Sequence, residues 1–456
     1  MKMYKKSNTL KHTRCLHYLL RQFYHQYRVS QLYQPLSVVP KEALVKKDAA
    51  ISLSQKLMME CGILRPRGNG MFAFLPLGLR ALEKLSAVID EEMKRVGAQK
   101  ILLPSLTSGL LWKKTGRWES TGEELMKVKD RHERDYVLSA THEEAIVDML
   151  ADTSLLSHRQ LSLRLYQISS KFRDEANPRF GLLRCKEFLM KDLYTFDKDE
   201  TSATDTYNQI CTAYDTIFQR IGIPFVKVSG DCGNIGGNFS HEYHFPAPIG
   251  QDTLLLCENC GTGSNAELVE DLDNKSCNIC GSKLQLQKGI EVGHTFLLGI
   301  KYSEPLQCYY QNEKGKPTVV QMGCYGIGIS RVLAAAIEVL STEKNIRWPW
   351  LLAPFKVCIV GPKKGSKEEK AATWVNFLAR SLNNFPSLRD DIIVDDRDNL
   401  TIGKRVMEAK KTGFPIIVVL GKYACEPIPQ FEVIETAREE VHYFTQYQLL
   451  DYLKNR

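Results

Sequence analysis

No stretch of the 456 residues reaches the ~18 uninterrupted apolar side chains that a membrane-spanning helix needs, so no helical anchor is expected. The paired-cysteine framework of a secreted domain is missing too. The thirteen cysteines are an odd set, scattered except for Cys257, Cys260, Cys277 and Cys280, which fits a reducing compartment. No Gly-x-Ser-x-Gly elbow exists to carry a Ser/His/Asp hydrolase. His241-Glu242-Tyr243-His244 falls one residue short of the His-Glu-x-x-His spacing that sets two imidazoles on one helical face, and it reads as strand. Internal repeats and low-complexity tracts are absent, and a composition 43% hydrophobic and 25% charged excludes disorder as the main state. What remains is a chain of enzyme size with two or three domains.

Acidic residues are absent from positions 1 to 37, where Lys2, Lys5, Lys6, Lys11, Arg14, Arg21 and Arg28 supply all but +1 of the net +8 charge. The body is nearly neutral, so the overall charge is no argument for nucleic-acid binding. Arg14, Arg21 and Arg28 recur every seven residues and share one helical face, with apolar surface from Leu16, Leu19, Leu20, Phe23 and Tyr27. Basic, amphipathic and acid-free is the pattern of a mitochondrial transit segment, expected over 1–40; the alternative is a basic arm that touches RNA.

Residues 48–350 are expected to form one domain. It opens with a helix from Ala50 to Cys61, breaks at Arg65-Pro66-Arg67-Gly68-Asn69-Gly70, and resumes as an amphipathic helix from Leu77 to Val96. A short strand from Lys100 to Leu103 stops at Pro104. Leu163 to Glu175 and Glu187 to Phe196 read as the strands of a long hairpin. Past Pro349 and Pro354, strands at Val357 to Gly361, Ile392 to Asp395 and Pro415 to Leu420 alternate with helices near Glu368 to Leu382 and Lys404 to Lys411. That alternation predicts a separate α/β domain over 352–456.

Two constellations carry chemistry. Strand period puts Lys171, Arg173 and Glu175 on one face of the hairpin, Phe188 and Met190 share a face on the return strand, and Arg184 lies just before it. A guanidinium, a carboxylate and an aromatic plate could clamp a phosphate, read an exocyclic amine and stack a base. Taken alone, such a hairpin is equally a salt-bridged surface element. The second constellation, Gly323-Cys324-Tyr325-Gly326-Ile327-Gly328-Ile329-Ser330-Arg331, opens the apolar helix Val332 to Leu340. It is no dinucleotide fingerprint, because Arg331 stands where glycine is required and Trp348-Pro349-Trp350 where the acidic residue is due. Its glycines admit a ligand close to the backbone, and an arginine at a helix start aims charge at that ligand.

In this order and spacing, Phe172-Arg173-Asp174-Glu175 with Arg184 and Glu187-Phe188 resembles motif 2 of the class II aminoacyl-tRNA synthetases. Gly326 to Arg331 resembles motif 3, and Leu77 to Pro104 resembles motif 1, the dimer element. Thr141-His142-Glu143, Arg179 to Arg184, Glu291-Val292-Gly293-His294-Thr295-Phe296 and Met322 to Gly326 narrow the resemblance to the prolyl-tRNA synthetases of bacterial and mitochondrial type, over nearly the whole chain after residue 48.

The resemblance implies an α+β catalytic domain with an antiparallel sheet, followed by an α/β anticodon-binding domain with a mixed sheet. It implies a homodimer that joins L-proline to ATP and passes the prolyl group to tRNA(Pro), placed by its leader in the mitochondrial matrix. Arg173 is implied to bridge the α-phosphate and the amino-acid carboxylate, Glu175 to read the adenine amine and Phe188 to stack on it. Arg184 and Arg331 are implied to hold the outer phosphates with Mg²⁺. Thr141 and Glu143 would receive the prolyl ammonium, with Met190, His294 and Cys324 as pocket walls. Asp395-Asp396-Arg397, Gly403-Lys404-Arg405 and Gly413 to Gly421 resemble the anticodon-binding domain. The editing insertion that bacterial relatives often carry between motifs 2 and 3 is missing, so no proofreading of alanyl-tRNA is expected within this chain. Rival readings are another specificity such as threonine, or a nucleic-acid-binding accessory subunit.

Two local patterns add expectations. Thr141-His142-Glu143-Glu144 is also a capping box, with Thr141 as N-cap and Glu144 at N3. Cys257-x2-Cys260 and Cys277-x2-Cys280, within an insert over 250–288, have the spacing of a four-thiolate structural zinc ribbon, with Gly261 and Gly281 turning each knuckle. The alternative is a knuckle of reduced thiols without metal.

Overall fold

A computed structural model describes residues 26–36, 51–153, 155–269, 276–277 and 279–456. It separates into two compact units, Gln34–Pro354 and a second formed by residues 26–33 with Phe355–Arg456. Most of the leader expected over 1–40 lies outside the described residues. Of the part that is described, Tyr27–Arg28 pairs in parallel with the strand Ile392–Asp395. Ser30 donates to the Asp396 carboxylate from its N–H at 3.0 Å and its hydroxyl at 2.7 Å. Gln34 Nε2 donates to the Cys61 carbonyl at 2.9 Å. Arg28, expected on one helical face with Arg14 and Arg21, stands in a strand instead.

The first unit is α+β. Helix α1 (Pro76–Arg95) has proline in its first turn, where a missing N–H costs nothing, and buries Leu77, Leu82, Leu85 and Ile89 along one stripe. Helix α2 (Glu143–Ala151) follows, then strands β1 (Leu163–Phe172) and β2 (Glu187–Asp197), helix α3 (Glu200–Ile221), strands β3 (Phe239–Pro246), β4 (Asp252–Cys257), β5 (Leu284–Gly299) and β6 (Gln321–Gly328), and helix α4 (Ile329–Leu340). Among the described residues the main sheet has nine strands, with the central order β4-β5-β6-β2-β1 and each of these neighbours antiparallel. The expected hairpin is β1–β2. Its first strand ends at Phe172, three residues early, and the strand expected from Lys100 shrinks to Gln99–Lys100. His241 to His244 lies within β3, as its spacing predicted.

Register decides what the sheet presents. Gln167, Asp192, Gly326 and His294 stand opposite one another across four strands, and Leu165, Tyr194, Cys324 and Phe296 form the next matching row. Alternate residues point the other way, toward α3, where Lys191 Nζ donates to the Tyr325 carbonyl at 3.1 Å and to the Tyr214 hydroxyl. Burial pushes the Lys191 pKa down to about 7, against the weaker pull of Asp192. The unfolded chain, with a lysine pKa near ~10.4, then holds a proton there that the folded chain releases above pH 7. Stability should rise with pH through that window. Lys191→Met should remove the slope, so that the difference between native and variant changes by about 1.5 kcal/mol between pH 7 and 8.5 in urea denaturation. Equal pH dependence in the two proteins would contradict the burial argument.

The second unit is α/β. Its sheet has the order Tyr27–Arg28, Ile392–Asp395, Val357–Val360, Ile416–Val419, Gln430–Glu435, Glu440–Thr445, with parallel pairing through the first four strands and antiparallel pairing through the rest. The parallel strands at 357, 392 and 416 are buried throughout, as strands covered on both faces must be.

Candidate active site

The face of β2, β5 and β6 turned away from α3 floors a cavity. Period two on three adjacent strands supplies Phe188, Met190 and Asp192; His294 and Phe296; and Cys324, Gly326 and Gly328. A Cβ at Gly326 would make only ordinary contact, 3.6 Å from the Met190 sulfur. Thr141, Arg173 and Arg331 complete the walls. An adjoining cavity, sharing Glu291 and Arg331, is lined by Glu175, Arg184, Gln251 and Asp252.

Arg173 leaves the end of β1 with its guanidinium 5.3 Å from the centre of the Phe188 ring. Among the described residues that guanidinium has no hydrogen-bond or ion-pair partner. Burial and the neighbouring Arg331 push its pKa down, as expected of cations gathered with too little counter-charge. Arg331, in the first turn of α4, donates to the Glu291 carbonyl at 3.1 Å and lies 3.4 Å from its carboxylate. Glu291 also holds His294 Nδ1 at 3.0 Å. Burial opposes its ionisation, yet the His294 hydrogen bond and the Arg331 charge hold Glu291 far below the carboxylate range. His294 stacks on Phe296 at 3.9 Å.

Glu175 and Arg184, expected to meet different parts of ATP, are paired with each other at 2.6 Å, and Arg184 also donates to Gln251 at 3.0 Å. Glu143 stands one layer behind the cavity. It is fully buried, and it is reached through Thr141, whose hydroxyl lies 2.7 Å from both carboxylate oxygens, and Cys324, whose thiol donates at 2.9 Å. The capping box expected here does not form: the N-cap of α2 is His142, without a side-chain cap. The Thr141 hydroxyl is drawn to a buried carboxylate, and Glu144 turns inward to Thr115 and Arg117 instead.

The four cysteines converge, with sulfurs all within 4.8 Å of one another and Cys257–Cys280 and Cys260–Cys277 at 3.4 Å. Each knuckle turns alike. Gly261 and Gly281, both at φ +72°, donate to the carbonyls of Cys257 and Cys277. In the second unit, Arg397 is spent on Asp395 and Glu408, and the buried Arg405 on the carbonyls of Asp395 and Gly361. Those motif arginines hold strand ends together and are not free to read bases.

Sequence reasoning missed Asp192, Glu291 as an ion-pair partner, and Arg117. Asp192 was legible, since period two places it with Phe188 and Met190. Arg117, in Thr115-Gly116-Arg117-Trp118, carries no signal short of three dimensions.

An antiparallel sheet flooring a cavity between a motif 2 hairpin and an arginine-bearing glycine turn defines a class II aminoacyl-tRNA synthetase core, and residues 126–340 match the family described as tRNA synthetase class II core domain (G, H, P, S and T). A Rattus norvegicus protein named "Probable proline--tRNA ligase, mitochondrial" is 44% identical, with 98% of this chain and 95% of the relative covered. A Homo sapiens protein of the same name is 45% identical over 93% and 90% of the two chains. The chain belongs to the proline–tRNA ligase family. The solved structure of Giardia lamblia prolyl-tRNA synthetase in complex with prolyl-adenylate shares the fold, with a TM-score of 0.74 at 19% identity over 89% of this chain and 79% of that one.

Proposed function

We infer that the cavity is where proline and ATP are joined, and that the residues on its floor do the joining. The enzyme is a proline–tRNA ligase: it activates L-proline with ATP and transfers the prolyl group to tRNA(Pro). A proline carboxylate oxygen attacks the α-phosphorus, the bond to the bridging oxygen breaks, and pyrophosphate leaves with the electron pair. A ribose hydroxyl of the tRNA then attacks the prolyl carbonyl and AMP departs. The observation that carries the reading is the guanidinium of Arg173, without a hydrogen-bond or ion-pair partner among the described residues, on the wall of the same cavity as Arg331 and Thr141. An arginine fork there can hold a phosphate oxygen and a carboxylate oxygen together, so positioning and charge neutralisation supply the rate.

Phe188 would stack the adenine, Arg331 and Arg184 would take the outer phosphates, and Glu175 would exchange Arg184 for the adenine amine. Mg²⁺ accompanying ATP fits the adjoining cavity, where Glu291 and Asp252 both present carboxylates; burial and Glu291 raise the Asp252 pKa to about 6, a repulsion that a cation relieves. Thr141, Glu143, Met190, His294 and Cys324 form the proline end. The protein is mitochondrial, as its relatives are named, and residues before 26 would direct it to the matrix. A homodimer would bury Leu102 and Leu110, exposed by 76% and 66%. Proline-dependent ATP/pyrophosphate exchange tests the reading. Exchange driven by threonine and not by proline would overturn it.

The four-thiolate cluster suits a structural zinc that closes the ribbon at the far ends of β4 and β5. One zinc per chain is expected from elemental analysis of purified protein, and Cys257→Ser should lose it and lower the melting temperature. A metal-free native protein of full stability would show a bare knuckle.

A further inference from the structure

Arg117 lies outside the cavity and is buried, with its guanidinium 4.6 Å from the Trp112 ring centre and 5.6 Å from that of Tyr302. Its Nη1 is 3.1 Å from Glu143 Oε2 and 3.1 Å from Glu144 Oε1, and its Nε has no hydrogen-bond partner among the described residues. One cation thus serves two carboxylates. Glu144 is completed by the Thr115 hydroxyl at 2.9 Å. Glu143 is completed by two groups that line the cavity, the Thr141 hydroxyl and the Cys324 thiol.

An ionised carboxylate only accepts, so Thr141 and Cys324 must both donate inward to Glu143. What they retain for the cavity is lone pairs. We propose that Arg117 is a positioning residue for amino-acid selection: by keeping Glu143 ionised and fixed, it makes the Thr141 and Cys324 wall accept hydrogen bonds only, the wall a substrate ammonium requires. The inference rests on the assignment of this end of the cavity to proline. Burial favours the neutral acid at Glu143, and the Arg117 charge is the largest influence against it. A neutral Glu143 would itself donate to one of its two neighbours. The displaced hydroxyl or thiol hydrogen would then meet the N–H groups of the substrate head-on.

The test is pyrophosphate exchange by the full chain carrying Arg117→Met or Arg117→Lys, with KM for proline and for ATP measured separately from pH 6 to 8.5. For Arg117→Met the proline KM should rise on the order of 100-fold while the ATP KM stays within about twofold. It should also become pH-dependent, falling as pH rises and Glu143 ionises, whereas native enzyme stays flat. Arg117→Lys keeps the charge without the fork, so its proline KM should rise roughly tenfold. A folded Arg117→Met enzyme with native proline KM, or with both KM values raised together, overturns the proposal. Should that variant fail to fold, an Arg117→Lys enzyme with native proline KM overturns it equally. Thr141→Val separates the premise: native proline KM there would show that this end does not hold proline, and the inference would fall with it.

Discussion

Arg173→Ala should abolish prolyl-adenylate formation, lowering proline-dependent exchange by on the order of 10³-fold or more, while the protein melts as the native does. The size follows from position. Among the described residues the Arg173 guanidinium has no hydrogen-bond or ion-pair partner, so on the proposed role its charge is uncommitted until phosphate and carboxylate arrive and meet on it. Its removal leaves pentacoordinate phosphorus without the fork that offsets its charge. Stability should not suffer, because the side chain faces cavity rather than core and its nearest cation, Arg331, disfavours its charge. Arg173→Lys should recover little, since an ammonium is a point charge and cannot span two oxyanions. Exchange kinetics and thermal melting check both halves. Exchange within tenfold of native in Arg173→Ala would place the chemistry elsewhere.

The parts of this protein that were legible in sequence are those governed by short-range rules. Period two along β1 and β2 located the hairpin and put Phe188 and Met190 on the cavity side. The glycine run ending in Arg331 gave the strand-to-helix turn, and the cysteine spacing gave two matched knuckles. What failed did so where a long-range partner outbid a local one. Thr141 reads as a cap from its neighbours, yet a buried carboxylate takes its hydroxyl. Arg28 reads as the third stripe of a leader helix, yet an unpaired strand edge at Ile392–Asp395 captures it. Arg117 had no reading at all, because its partners Glu143 and Glu144 lie 26 and 27 residues further along the chain and nothing in its own segment marks it.

Asp192→Ala should cost the largest share of stability of any single change near the site, about 3–5 kcal/mol in chemical denaturation. Asp192 is 1% exposed and gathers Lys171 Nζ at 2.7 Å, Gln167 Nε2 at 2.9 Å and the Tyr194 hydroxyl at 2.9 Å. Burial pushes the Lys171 pKa down, and Asp192 is what opposes this. Without it, a fully buried ammonium must either give up its proton or stand uncompensated, with only Ser169 left to it at 2.6 Å. Pairing the change with Lys171→Met should return part of the loss, because no buried ammonium is then left uncompensated, while Gln167 and Tyr194 still lack their acceptor. Catalysis should not return with it. Tyr194, oriented by Asp192, accepts the His142 N–H at 2.8 Å at the N-cap of α2, the helix that carries Glu143 behind the proline end. Proline KM should therefore stay raised in the double variant. A double variant with native proline KM would mean that the Asp192 network supports the fold alone and that the proline end is held by Arg117, Thr141 and Cys324 without it.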